Sequence, residues 1–203
     1  MKYTVSGFEV QIPINSDLFH FQQAVKEKLY DFNHSRPSEE RLRQTIMKEV
    51  LGSSNGVHIV PPFHCDMGKN IHFKEGGFLN YDVKILDLAE VTIGQYVQIG
   101  PNVVISTASH PLSLSERVLP VATANPITIG DNVWIGAGAV ILDGVSIGDR
   151  CVIGAGSIVT KSIPADSVAV GSPCKVIKTI VQGEMPTDQE IEEMWQEINE
   201  LEL

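Results

Sequence analysis

The chain has 203 residues, 43% of them hydrophobic, and a formal net charge of −10, which gives it matter for one sizeable core and rules out disorder throughout. No stretch approaches the roughly 20 apolar residues of a membrane helix, and MKYTVSGFEVQIPIN lacks the basic-then-apolar plan of a signal peptide, so a cytoplasmic location is expected. Eight carboxylates and no Lys or Arg fall between Gln182 and Leu203, leaving 17 acids against 15 bases elsewhere, so the body offers no basic stripe for a nucleic-acid backbone.

In chain order, Asp17 to Asp31 and Pro37 to Leu51 read as two helices, the second opened by Ser35 and Pro37. They are expected to cover the open end of a repetitive segment downstream. From Cys65 a spacing of six runs through Ile71, Gly77 and Val83, and a two-residue insertion then resets the count to Val91, Val97 and Val103. Ile93, Ile99 and Ile105 keep the same beat. Residues 129 to 164 carry six hexads without a gap, led by Ile129, Ile135, Ile141, Ile147, Ile153 and Val159.

A period of six suits neither a helix nor an ordinary hairpin, but it suits a short strand, a bend and another short strand, so the chain winds as a coil. The leading aliphatic residue fills the interior, the residue two before it is expected on the opposite side, and Gly marks the bend. Stacked coils lie roughly 4.8 Å apart and hydrogen-bond in parallel. Spacing alone does not give the hand of the winding. An antiparallel sandwich is disfavoured, because its turns vary in length.

Between Ile105 and Ile129 the sixes fail and STASHPLSLSERVLPVATANP leaves the coil, beginning with Ser109-His110-Pro111. Thr187 to Glu190 has the form of a capping box, with Ile191, Met194, Trp195 and Ile198 on one face of the helix it would open. The chain thus divides into a strand and helical cap over 1–54, a coil over 55–180 with a loop at 106–126, and an acidic helix over 181–203.

NVWIGAGAVILDGVSIGDRCVIGAGSIVTKSIPADSVAVGSPCKVI, with FNHSRPSE, PPFHCDMGKNI, FLNYDVKILD and TASHP upstream, resembles the hexapeptide-repeat acyltransferases of the maltose and galactoside O-acetyltransferase branch, over roughly residues 30 to 180. The resemblance implies an all-β fold, a left-handed parallel β-helix. It also implies a homotrimer with active sites between subunits, and acetyl-CoA as co-substrate with no metal required.

By position, His110 stands where the repeat stops, before a proline that restricts its backbone, and an imidazole there can take a proton from a hydroxyl attacking a thioester. TASHP matches the family's catalytic motif and assigns that role to His110. By resemblance, Asn80, Asp87 and Asp66 face the acceptor; the bland reading of each is a side chain that holds a corner. Ala137 would direct its amide at the thioester oxygen, Ala155 and Thr160 would border the pantetheine arm, Trp134 would line its path, and Lys161, Lys175 and Lys178 would meet the nucleotide phosphates.

Cys65, Cys151 and Cys174 read as buried thiols, and His58, His64 and His72 lack the spacing of a zinc motif. The function implied is acetyl transfer to a hydroxyl of a sugar or related small molecule. The alternatives are N-acetylation of an amino sugar or antibiotic, and a γ-carbonic-anhydrase-like or silent β-helix; the carbonic anhydrase would need three metal histidines across coils.

The chain departs from the family at two places. Leu88 stands where the galactoside enzyme has a second carboxylate, and the first 30 residues lack the usual start; independently of the family, Val118 to Ala124 is more apolar than a pocket devoted to sugars requires.

Overall fold

The computed structural model describes residues 5–187, 189 and 190. Helix α1, Ser16–Asn33, opens with the Asn15 side chain accepting from the Leu18 amide at 3.0 Å, and α2 spans Glu40–Val50. The Arg43 guanidinium donates to the carbonyls of Arg36 and Pro37 and so fixes the link between them. At the end of α1 the Asn33 amide exchanges two hydrogen bonds with the Phe63 backbone, 3.0 and 2.8 Å, imitating a strand partner for the first coil. Val25, Leu29 and Phe32 of α1 and Ile46, Met47 and Val50 of α2 join one core with Ile59, Phe63 and the coil interior, so the helices cap the coil as expected.

The coil is a three-faced parallel β-helix, with sheets of seven, five and four strands. Ile135 lies opposite Ile153 in one sheet, Ile141 opposite Val159 in the next and Ile129 opposite Ile147 in the third, each pair three hexads apart. Every hexad is therefore one face, and three make a turn. The leading residues are buried, and so, against expectation, are the residues two before them: Val133, Ala139, Val145, Cys151 and Ser157. Residues two apart in a strand share a side, and here both point inward.

The first array also needs correction. Phe63 pairs with Val83 and Cys65 with Ile85, while Ile71 pairs with Val91 and Phe73 with Ile93. Cys65 thus leads with Ile85, not with Ile71, and the two-residue insertion between Ile85 and Ile93 has a twin between Cys65 and Phe73. Both positions are buried, so a buried-every-second-residue pattern hides the slip.

The departure from the coil is itself a small sheet. Ala108–Ser109 and Val121–Ala124 pair antiparallel, with a short helix Leu114–Arg117 between them. The N-terminal strand Val10–Pro13 adds to the outer edge, Val10 opposite Ala124 and Pro13 opposite Val121. At the far end Lys175–Thr179 returns antiparallel on Ser167–Val170. Thr187 and Glu190 make the reciprocal bonds of a capping box; the helix expected beyond, with Ile191, Met194, Trp195 and Ile198, lies outside the described residues.

Candidate active site

The candidate residues fall on two edges of the prism. The first edge joins the seven-stranded to the five-stranded face. There Asn80, Gly100, Gly136 and Gly154 stack, each amide donating to the next coil at 2.8–2.9 Å, and Ala137-Gly138 and Ala155-Gly156 form the corners. A Cβ on Gly136 would lie 2.6 Å from the Ala155 nitrogen, so close stacking of coils demands glycine there. Gly138 and Gly156 have open space around them but φ of +67°, so at these two it is the backbone that demands glycine.

Ala137 and Ala155 are exposed, and among the described residues their amides make no hydrogen bond within the chain. Trp134, 55% exposed, stands on the adjoining face between Gln98 and Val152. Lys175 and Lys178 are exposed on the returning strand at the end of that face. The Asn80 carbonyl oxygen accepts from the Tyr81 amide at 2.8 Å, leaving its NH₂ donors for a ligand.

The second edge lies at the other end of the five-stranded face. Asp66, Leu86 and Thr160 stack there, with Lys161 beside Thr160, and from it the chain departs at Thr107 toward His110. His110 is exposed, directly after Ala108–Ser109. Asp66 is half-buried beside a cavity of about 310 Å³ lined by Lys26, Tyr30, Asn33 and His64. Burial raises the Asp66 carboxyl above its usual range, and the charge of Lys26 opposes the rise. A second cavity, about 340 Å³ under α2, borders none of the candidate residues.

Asp87 is not an open acceptor group in this structure. It is fully buried, one carboxylate oxygen accepting from the Asp66 and Met67 amides at 3.0 and 2.9 Å, the other from Asn70 at 3.3 Å. Burial raises its pKa and these amides hold it back. Its work is to brace the corner that the two-residue insertion widens. The three amides belong to one corner, 66–70, that lies about 20 residues from Asp87 in the chain and one coil away in the fold.

Thr107 and Thr123, both buried, escaped the sequence reading and sit beside His110. Buried thiols meet the expectation: Cys65, Cys151 and Cys174 are free, and burial raises all three. His58, His64 and His72 lie on three different faces, so they do not converge.

A fold of this kind, with small residues at stacked corners and one histidine where the coil opens, defines a hexapeptide-repeat acetyltransferase. The maltose acetyltransferase hexapeptide capping motif matches residues 13–56, and the hexapeptide repeat of succinyl-transferase matches 126–161. The capping match confines the departure of the N-terminus to the residues ahead of it.

The galactoside O-acetyltransferase of Escherichia coli K12 is 46% identical over 76% of this chain and 77% of its own length. The crystal structure of a maltose O-acetyltransferase from Clostridium difficile 630 superposes with a TM-score of 0.81, at 41% identity, covering 83% of this chain and 90% of that one. A galactoside acetyltransferase in complex with coenzyme A gives 0.76 at 40% identity, over 86% and 90%. This chain belongs to the hexapeptide-repeat acetyltransferases, in the branch of the maltose and galactoside enzymes.

Proposed function

We propose that this protein moves the acetyl group of acetyl-CoA to a hydroxyl of a sugar or related small acceptor, with His110 as general base. The observation that carries the reading is the partition of the site. The thioester edge, with Ala137 and Ala155, and the edge from which the His110 strand departs stand at opposite ends of one face. A homotrimer resolves the partition, because a rotation brings one subunit's histidine edge to its neighbour's thioester edge. In that arrangement Asn80 and Asp66 orient the acceptor, Ala155 and Thr160 border the pantetheine arm, Trp134 lines its path, and Lys161, Lys175 and Lys178 take the phosphates.

The imidazole accepts the hydroxyl proton as the oxygen attacks the thioester carbon. The Ala137 amide donates to the oxyanion. Collapse expels the CoA thiolate, and the imidazolium returns the proton to it. Transfer is direct, since buried thiols with raised pKa values stay protonated and make poor nucleophiles. The division into a cap over 1–54, a coil over 55–180 and a tail over 181–203 belongs to this proposal. So does action in the cytoplasm, which fits the unpaired thiols; among the described residues no helix is long and apolar enough to cross a membrane.

The test is thiol release from acetyl-CoA against a panel of sugars, other polyols and amino sugars, with the product identified by mass. Release of CoA with an acetyl ester formed on a hydroxyl is expected. Transfer confined to amines, or no release above hydrolysis, would overturn the reading.

A further inference from the structure

We propose that the N-terminal strand Val10–Pro13 is a positioning element for His110, acting through Thr123. The inference rests on the reading of His110 as general base. Once the chain leaves the coil at Thr107 it loses the stacked layers that hold the hexads, and the strand Ala108–Ser109 that leads to His110 needs another support. The support is the three-stranded sheet, with Val121–Ala124 in the middle, the His110 strand on one edge and the N-terminal strand on the other. Gln11 lies opposite Thr123 and Thr123 opposite Ser109. The buried Thr123 hydroxyl donates to the Ser109 carbonyl at 2.6 Å, one residue before His110.

A second core, separate from the coil interior, lies beneath this sheet. Leu88, Ala89 and Ala124 form it, and Val10, Ile12, Ala108 and Ala122 pack on it. The N-terminal strand is tied at both ends. The Ser6 hydroxyl donates to Glu116 at 3.2 Å, the Glu9 amide to the Asn125 side chain at 3.0 Å, and the Ile14 amide to the Pro120 carbonyl at 3.0 Å.

Three separate stretches of the chain thereby become one device. Leu88 supplies the apolar floor. The N-terminal strand Val10–Pro13 covers it, and Val121–Ala124, the second half of the apolar segment 118–124, supplies the strand between, with Val121 and Ala124 buried. Val118, ahead of that strand, is exposed.

Thr123→Val keeps the shape and removes the hydroxyl, Thr123→Ser keeps the hydroxyl, and Ile12→Asp sets a charge against the second core. The first and third are expected to lower kcat roughly 10- to 100-fold, the effect of displacing a reacting group by about 1 Å. KM for acetyl-CoA and the melting of the coil should stay at wild-type values, and Thr123→Ser should retain most of kcat. In a His110→Ala background neither variant should lower kcat further, since the element acts only through the imidazole.

Wild-type kcat in Thr123→Val overturns the proposal. So does a loss that persists without His110, or melting of the whole coil in Thr123→Val or Ile12→Asp. Failure of the general-base reading is separate, because it appears in His110→Ala alone as an undiminished kcat.

Discussion

From Ile129 to Val159 the molecule is all repetition, and from Ser106 to Asn125 it has none. In the repeat the leading aliphatic side chains rest on one another one turn away, Ile135 on Ile153 and Ile141 on Val159, so the interior is a rigid support and the chemistry is left to the corners. In the departure, structure depends on single groups: one threonine hydroxyl on one carbonyl, one patch of apolar side chains, one strand borrowed from the N-terminus. A regular hexad offers nearly the same environment at every level and gives a side chain little that is its own. Breaking the repeat gives one histidine a unique setting.

The comparison is broken most severely at His110. Replacing it with Ala should lower kcat roughly 10²- to 10⁴-fold, the usual worth of a positioned base, while CoA binding and the melting temperature hold. Steady-state kinetics beside calorimetry checks both halves. If stability fell as well, the departure would be part of the scaffold and the contrast would be lost.

The converse change lies in the repeat. Ile141 is fully buried, and Ile141→Ala should cost about 2–5 kcal/mol of stability, measured by denaturant unfolding. At temperatures where the variant stays folded, kcat should remain near wild type. A large loss of kcat without loss of stability would show that the interior tunes the site.

The smallest effect concerns a coil corner. Arg150 holds the Asp166 carboxylate by two bonds, 2.7 and 2.8 Å, and with Gln182 lowers its pKa from 3.8 to about 2. A depressed carboxylate stabilises the folded state above its unfolded pKa. That contribution is fully present above about pH 4 and fades as the pH falls toward 2. Both groups are open to solvent, so the contribution is slight. Unfolding curves of wild type and Arg150→Ala should run together at pH 2 and separate slightly above pH 4; curves equally separated at every pH would exclude the ion pair as the cause.

The sequence by itself determined the coil, because a hexad is a local code: an aliphatic residue, a bend and a small residue at fixed spacing dictate a face wherever they occur. It also located His110, since a broken repeat is visible without coordinates, and the resemblance of TASHP to the family's motif is the ground for proposing it as general base. Only the tertiary structure decided which edge each residue occupies, that Cys65 leads with Ile85, that Asp87 turns inward to three amides, and that Val10–Pro13 pairs with Val121–Ala124. These depend on groups far apart along the chain meeting in one register. An antiparallel partner at such a distance leaves no period to read, and a buried carboxylate is written with the same letter as an exposed one.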